Sequence, residues 1–182
     1  SLDRTLTIWD ADSGREVTTL PHRSMATAIA FDPVSRKLAA NAEDGSVSVW
    51  DFGTGARVFQ VPCSSSPSPS IAIVAERRLL LCVDVKASSI RRWNIADAQE
   101  LAPTTFRESA SPARLTPDGS LLLVSDGVGH VQILDALSGE PRGLLPGSGR
   151  YQMKSVAYAP RPVVSRRCRK APSSDAPRGP RH

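Results

Sequence analysis

Four bulky apolar residues recur along this chain at a nearly constant interval: Trp9, Trp50, Trp93 and Leu134, separated by 41, 43 and 41 residues. Each closes a short segment of strand-like character, TLTIW, SVSVW, SIRRW and HVQIL. Two of these segments are near copies, DRTLTIWD at 3–10 and DGSVSVWD at 44–51. Repetition at a fixed period signals a unit that cannot bury its own apolar face and must stack on its neighbour. A period of about 40–45 residues fits a four-stranded β-propeller blade.

The rest of each period agrees. Between Trp9 and Trp50 lie REVTTL (15–20), ATAIAFDP (26–33), KLAANA (37–42) and SVSVWD (46–51). Each is short, mostly alternating, and bounded by turn residues such as Asp12-Ser13-Gly14, Pro33 or Asp44-Gly45. The third unit supplies SIAIVA (70–75), RLLLCV (78–83) and SIRRWN (89–94). In the fourth, SPARLTPDGS (111–120) precedes LLLVSD (121–126), HVQILD (130–135) and EPRGLL (140–145). KSVAYAP (154–160) reads as the first strand of a fifth unit. No segment has the pattern of a helix longer than a turn. The expectation is an all-β propeller with about three complete blades and partial blades at both ends.

These residues resemble a known family. His22, then Phe31, Pro33, Asp44 and the pair Trp50-Asp51 follow the pattern of a WD-repeat β-propeller, a resemblance that spans residues 1–159. It implies a ring of blades whose loops at one end bind other proteins. It also implies a buried hydrogen-bonded set of His, Ser or Thr, Asp and Trp in each blade. Carried over, that set is His22, Asp44 and Trp50 in the second unit, with Ala40 at the Ser/Thr position. The first unit retains Asp3 and Trp9. In the third, Trp93 remains but Ala87 stands at the Asp position; the fourth has Leu134 for Trp and Val128 for Asp. The repeats are degenerate.

Charge is distributed unevenly. Residues 160–182 hold seven basic side chains and one acidic one, whereas residues 1–159 are close to neutral. The net charge of +5 is therefore a property of the basic Pro/Arg/Ser-rich tail, which is expected to be disordered. Only through that tail is nucleic acid an expected partner. The chain is expected to be a fragment of a propeller in which residues 160–182 do not continue the repeat. Cys63, Cys82 and Cys168 are sparse and odd in number. They are expected to be unpaired thiols in a reducing, cytoplasmic compartment, with Cys82 a small apolar core residue. No apolar stretch approaches the roughly 18 residues that span a bilayer, and no membrane partner is expected.

Chemistry has few candidates. A His–Asp pair could serve catalysis, but His22 and Asp44 sit at the spacing of a structural network. The remaining His and Cys residues lack the spacing of metal ligands, and no G-x-S-x-G marks a nucleophile. PGSGR (146–150) lacks the Lys and helix of a phosphate loop, and CSSSPSPS (63–70) reads as a flexible inter-blade linker. The Trp residues at blade period read as packing anchors. The chain is accordingly expected to be a non-enzymatic protein–protein interaction scaffold without a cofactor or metal. Two alternatives stand beside it: a sensor or regulatory propeller of a larger kinase or protease, and an enzyme whose site lies in blades outside this sequence. Exposed candidates for partner contact, taken from loop position, are Arg23, Met25, Glu43, Lys86, Arg107, Glu108 and Tyr151.

Overall fold

The computed structural model describes residues 3–64, 70–106, 113–125 and 130–146. They form three four-stranded antiparallel meanders and one two-stranded pair. The pair is β1 (Thr5–Trp9) with β2 (Glu16–Pro21). The first meander contains β3 (Ile29–Asp32), β4 (Lys37–Asn41), β5 (Ser46–Asp51) and β6 (Ala56–Pro62) in that spatial order. The second contains β7 (Ile71–Val74), β8 (Leu79–Asp84), β9 (Ser89–Asn94) and β10 (Glu100–Thr105). The third contains β11 (Ala113–Leu115), β12 (Leu121–Ser125), β13 (Val131–Asp135) and β14 (Pro141–Leu145). The sole helical element among the described residues is a 3-10 turn at Ala75–Arg77. Each meander is a blade, so the expected all-β propeller architecture holds, with the β1–β2 pair as the partial blade on the N-terminal side. KSVAYAP, the basic tail and Cys168 lie outside the described residues.

Blades are joined by packing between their faces. Leu6 and Leu20 of the β1–β2 pair meet Leu38, Ala40 and Trp50 of the first full blade. Ala39, Val49 and Val61 of that blade meet Ile73, Leu80 and Trp93 of the next. Leu81, Val83 and Ile90 then meet Ala113, Leu122 and Leu134 of the last. Trp50, Trp93 and Leu134 therefore each pack on the blade before their own. Trp50 and Trp93 are each 1% exposed and Leu134 is 5%. Trp9 is 60% exposed, so the expectation that it serves as a core anchor fails here. The physical reason is the same directional packing: among the described residues no blade precedes the β1–β2 pair, and the anchor side of β1 has nothing to cover it.

The residue after each anchor closes the turn between third and fourth strands. Asp51 Oδ1 accepts the N–H groups of Gly53 and Thr54 at 2.9 and 3.2 Å. Asn94 Oδ1 accepts from Ala96 at 2.9 Å, and Asp135 Oδ1 from Leu137 and Ser138 at 3.0 Å each. Asp10 Oδ1 does the same for Ser13 at 2.7 Å. These are Asx turns, in which a short carboxylate or amide stands in for a backbone acceptor. The Arg142 guanidinium 2.8 Å from Asp135, with the turn N–H groups, holds that carboxyl down to about 2. The PDGS turn shows how tightly a neighbouring blade can approach. Gly119 has φ +68°, and a Cβ there would lie 2.6 Å from Val74 Cγ2.

Cys63 and Cys82 depart from their expected state. Their Cα atoms are 5.9 Å apart and their sulfurs are joined in a disulfide. Cys63 follows β6 of one blade and Cys82 lies on β8 of the next, both at 1% exposure or less. Two residues remote in sequence thus meet because blade stacking brings a linker over the adjacent second strand. A thiol count checks this pairing: alkylation of the denatured, unreduced chain modifies one cysteine, and reduction exposes three.

A second outcome tests the anchors. Trp50→Ala removes a fully buried side chain and costs about 3–5 kcal/mol by the usual range for such truncations, whereas Trp9→Ala costs under about 1 kcal/mol, near the surface-substitution range. Urea denaturation of the two variants distinguishes them.

Candidate interaction face

Each blade strand reverses direction, so the inter-blade linkers and the turns between second and third strands gather at one end of the molecule. This end carries residues 22–28, 42–45, 63–64 and 85–88. Its backbone is tied together by a short ladder of hydrogen bonds. Gly45 N–H donates to Ala42 O at 3.0 Å, and Gly45 O in turn accepts from Cys63 and Ser64 at 2.9 and 3.2 Å. Glu43 N–H donates to Ser24 Oγ at 2.9 Å. Turn and linker hold one another in place.

The centre of this network is Asn41, which has no exposed surface. Its Oδ1 accepts the N–H groups of Thr27 and Ala28 at 3.0 and 2.6 Å. Its Nδ2 donates to Thr27 Oγ1 at 2.9 Å, while Asn41 N–H donates to Ala28 O at 3.1 Å. One buried amide therefore satisfies the linker entering β3. Sequence reasoning missed it by one position, because the resemblance directs attention to Ala40. The signal available was an Asn at the end of an otherwise apolar strand, KLAAN.

The set His22, Asp44 and Trp50 is only partly assembled. His22 is 7% exposed and its ring lies 5.4 Å from that of Trp50. Its Nδ1–H donates to Ser24 O at 2.5 Å, not to Asp44. Its buried Nε2 has no hydrogen-bond partner. Asp44 is exposed and instead accepts from Ser46 N–H and Oγ at 2.9 and 2.6 Å. Those two bonds keep its carboxyl below the usual carboxylate range, with smaller help from Arg23 and His22. Asp3 behaves alike, accepting from Thr5 N–H and Oγ1 at 3.0 and 2.8 Å. In both repeats the Asp is a cap for the strand that follows it. A linker carbonyl has captured the imidazole N–H that the resemblance assigns to the Asp.

Trp93 is anchored from the solvent side by Arg91, whose guanidinium carbon lies 4.9 Å from the ring centroid. Arg91 also makes a two-pronged pair with Glu100 at 2.8 and 2.9 Å, and reaches Cys63 O in the preceding blade at 3.2 Å.

Arg23, Met25, Glu43 and Lys86 are all exposed at this end. They come from three different loops and comprise charges of both signs and one apolar side chain. Arg107, Glu108 and Tyr151 lie outside the described residues. Among the described residues no three His, Cys, Asp or Glu side chains converge as metal ligands. Asn41→Ala strands two linker N–H groups, and at about 1–3 kcal/mol for a buried unsatisfied group it costs at least about 2 kcal/mol. The same substitution speeds hydrogen exchange at Thr27 and Ala28, which mass spectrometry or NMR reads directly.

No family model matches the chain. It is similar to the serine-threonine kinase receptor-associated protein of Homo sapiens, 26% identical over 126 residues, covering 69% of this chain and 35% of that protein. The bovine protein of the same name matches to the same extent. The target of rapamycin complex subunit wat1 of Schizosaccharomyces pombe is 28% identical over 149 residues, 79% of this chain and 46% of that subunit. The matched region thus spans less than half the length of these curated relatives. The blade period, the three stacked meanders, the Trp-Asp strand ends and these relatives agree: the chain has the fold of a partial β-propeller with degenerate repeats and is similar to WD-repeat proteins.

Proposed function

We propose that this chain is a non-enzymatic protein–protein interaction scaffold and that partners engage the end bearing Arg23, Met25, Glu43 and Lys86. The observation that carries this reading is the pre-ordered backbone there. Asn41, Gly45 and Ser24 lock residues 22–28, 42–45 and 63–64 into one surface, so little ordering entropy remains there to be lost on binding. A rigid surface of mixed charge with an exposed Met suits protein recognition, where rim charges steer and apolar anchors hold. The relatives point the same way: one is named as receptor-associated and another as a complex subunit.

Quantitative co-purification tests it. The intact chain is recovered from its own cells alongside a variant with Arg23→Glu, Glu43→Lys and Lys86→Glu, all three exposed and outside the core. Specific partners fall at least about tenfold in the variant, the loss expected when 1.4 kcal/mol or more is removed. Unchanged recovery of every specific partner overturns the assignment of this face.

A further inference from the structure

At the opposite end of the molecule, the junction between the first and second full blades contains a cleft at a place that leucines occupy in the next junction. Corresponding positions follow from strand register. Lys37 pairs with Asp51 and Leu79 pairs with Asn94, each partner being the residue after an anchor Trp. Lys37 and Leu79 are therefore equivalent. Ala96 and Leu137 are equivalent too, each donating its N–H to the Asx side chain that closes the turn. Val58 and Leu101 stand at the same distance beyond that side chain. At the later junction, Leu79, Leu101 and Leu137 belong to one apolar cluster that fills the gap. At the earlier junction the same three places hold Lys37, Val58 and Ala96.

Removing that leucine plug leaves a cleft of about 460 Å³, lined on its apolar side by Val58, Ile73 and Ile95. This volume lies in the range of ordinary ligand sites. Its polar rim consists of Ser35, the Lys37–Asp51 pair at 2.7 Å, and Arg78. Asp51 is fully engaged by Lys37 and by its own turn. Arg78 is exposed and, among the described residues, has no ion pair or side-chain hydrogen bond, nor has its exposed neighbour Arg77; Glu76 is the nearby acidic residue in sequence. Ser120 occupies the equivalent of Arg78 in the last blade. Arg78 is also held at φ +53°, a conformation that glycine adopts more easily.

We infer that this inter-blade cleft binds an extended acidic peptide, an aliphatic side chain entering against Ile73, Ile95 and Val58 while the adjacent Asp or Glu carboxylate pairs with Arg78. Charge complementarity selects this occupant, because the rim offers an unpartnered guanidinium, a planar fork suited to carboxylate. The proposal rests on the scaffold reading but uses a different surface from the linker end.

The test uses the full chain and two blocked peptides, Gly-Gly-Leu-Glu-Gly-Gly and its Gln counterpart, followed by amide chemical shifts. The Glu peptide gives saturable shifts at Arg78 and Ala96 with a dissociation constant of about 1 mM or below, weakened by added salt, and the Gln peptide binds at least about tenfold more weakly. Arg78→Gly lowers affinity for the Glu peptide by the same factor without lowering the melting temperature, since Gly relieves the positive φ. Arg78→Asn, which also tolerates that conformation, lowers affinity by the same factor, and Ala96→Leu, which restores the plug, abolishes the shifts. Equal binding of both peptides, unchanged affinity in Arg78→Gly, or no saturable shifts overturns the site. If neither peptide binds while charge reversal at the linker end still sheds partners, the cleft falls and the scaffold reading stands.

Discussion

The contact of each blade's anchor with the face of the preceding blade is what the rest of the structure depends on. A single four-stranded meander has two faces and too few residues to cover either, so its stability is shared with its neighbours. Trp50, Trp93 and Leu134 all point the same way along the chain, toward the blade made earlier. That common direction gives the stack its order and leaves Trp9 uncovered. The hydrogen-bonded features are subordinate to it. Asx turns set the height of each blade, and Asn41 sets the entry of a linker, but both act on strands whose faces are already paired.

Most of this order was legible in the sequence because packing leaves a periodic trace. The anchors, the alternation before them and the turn residues between strands locate nearly every inner strand to within a residue or two. The outer strands β6 and β10 left a weaker trace. β10 reads ELAPTT, with Pro103 and a register shift between Leu101 and Thr104, because an outer strand has one free edge and tolerates a missing donor. Alternation disappears where only one side must be satisfied. Cys63 and Cys82 were illegible for another reason. Their meeting depends on how two blades stack, which sequence spacing does not encode.

The candidate site was legible only as a location. Loop position correctly put Arg23, Met25, Glu43 and Lys86 on the surface, but the side chains that organise that surface are buried. Asn41 was invisible because a polar group at full burial is a property of its partners, Thr27 and Ala28. The His22 network shows the converse. A motif can retain its letters while one acceptor changes: once Ser24 O holds the imidazole N–H, Asp44 is released to cap Ser46. The residues match the family pattern, and the hydrogen bonds do not.

Degeneracy of the repeat has a structural meaning as well. A strictly identical repeat would make every junction alike, with the same side chains filling the same gap. Here one junction carries Leu79, Leu101 and Leu137 in its apolar cluster while its neighbour carries Lys37, Val58 and Ala96 in their place. The fold tolerates the change because Trp93 and Leu80 still close the deeper core of that junction, and because Lys37 meets a carboxylate that the turn already requires. Asp51 thus serves two needs, closing its turn and neutralising an ammonium in a position that elsewhere belongs to a leucine. Departures from the repeat are cheapest where such a partner already exists, so the rim of an inter-blade junction is the place where a propeller can acquire polar character without loosening its stack.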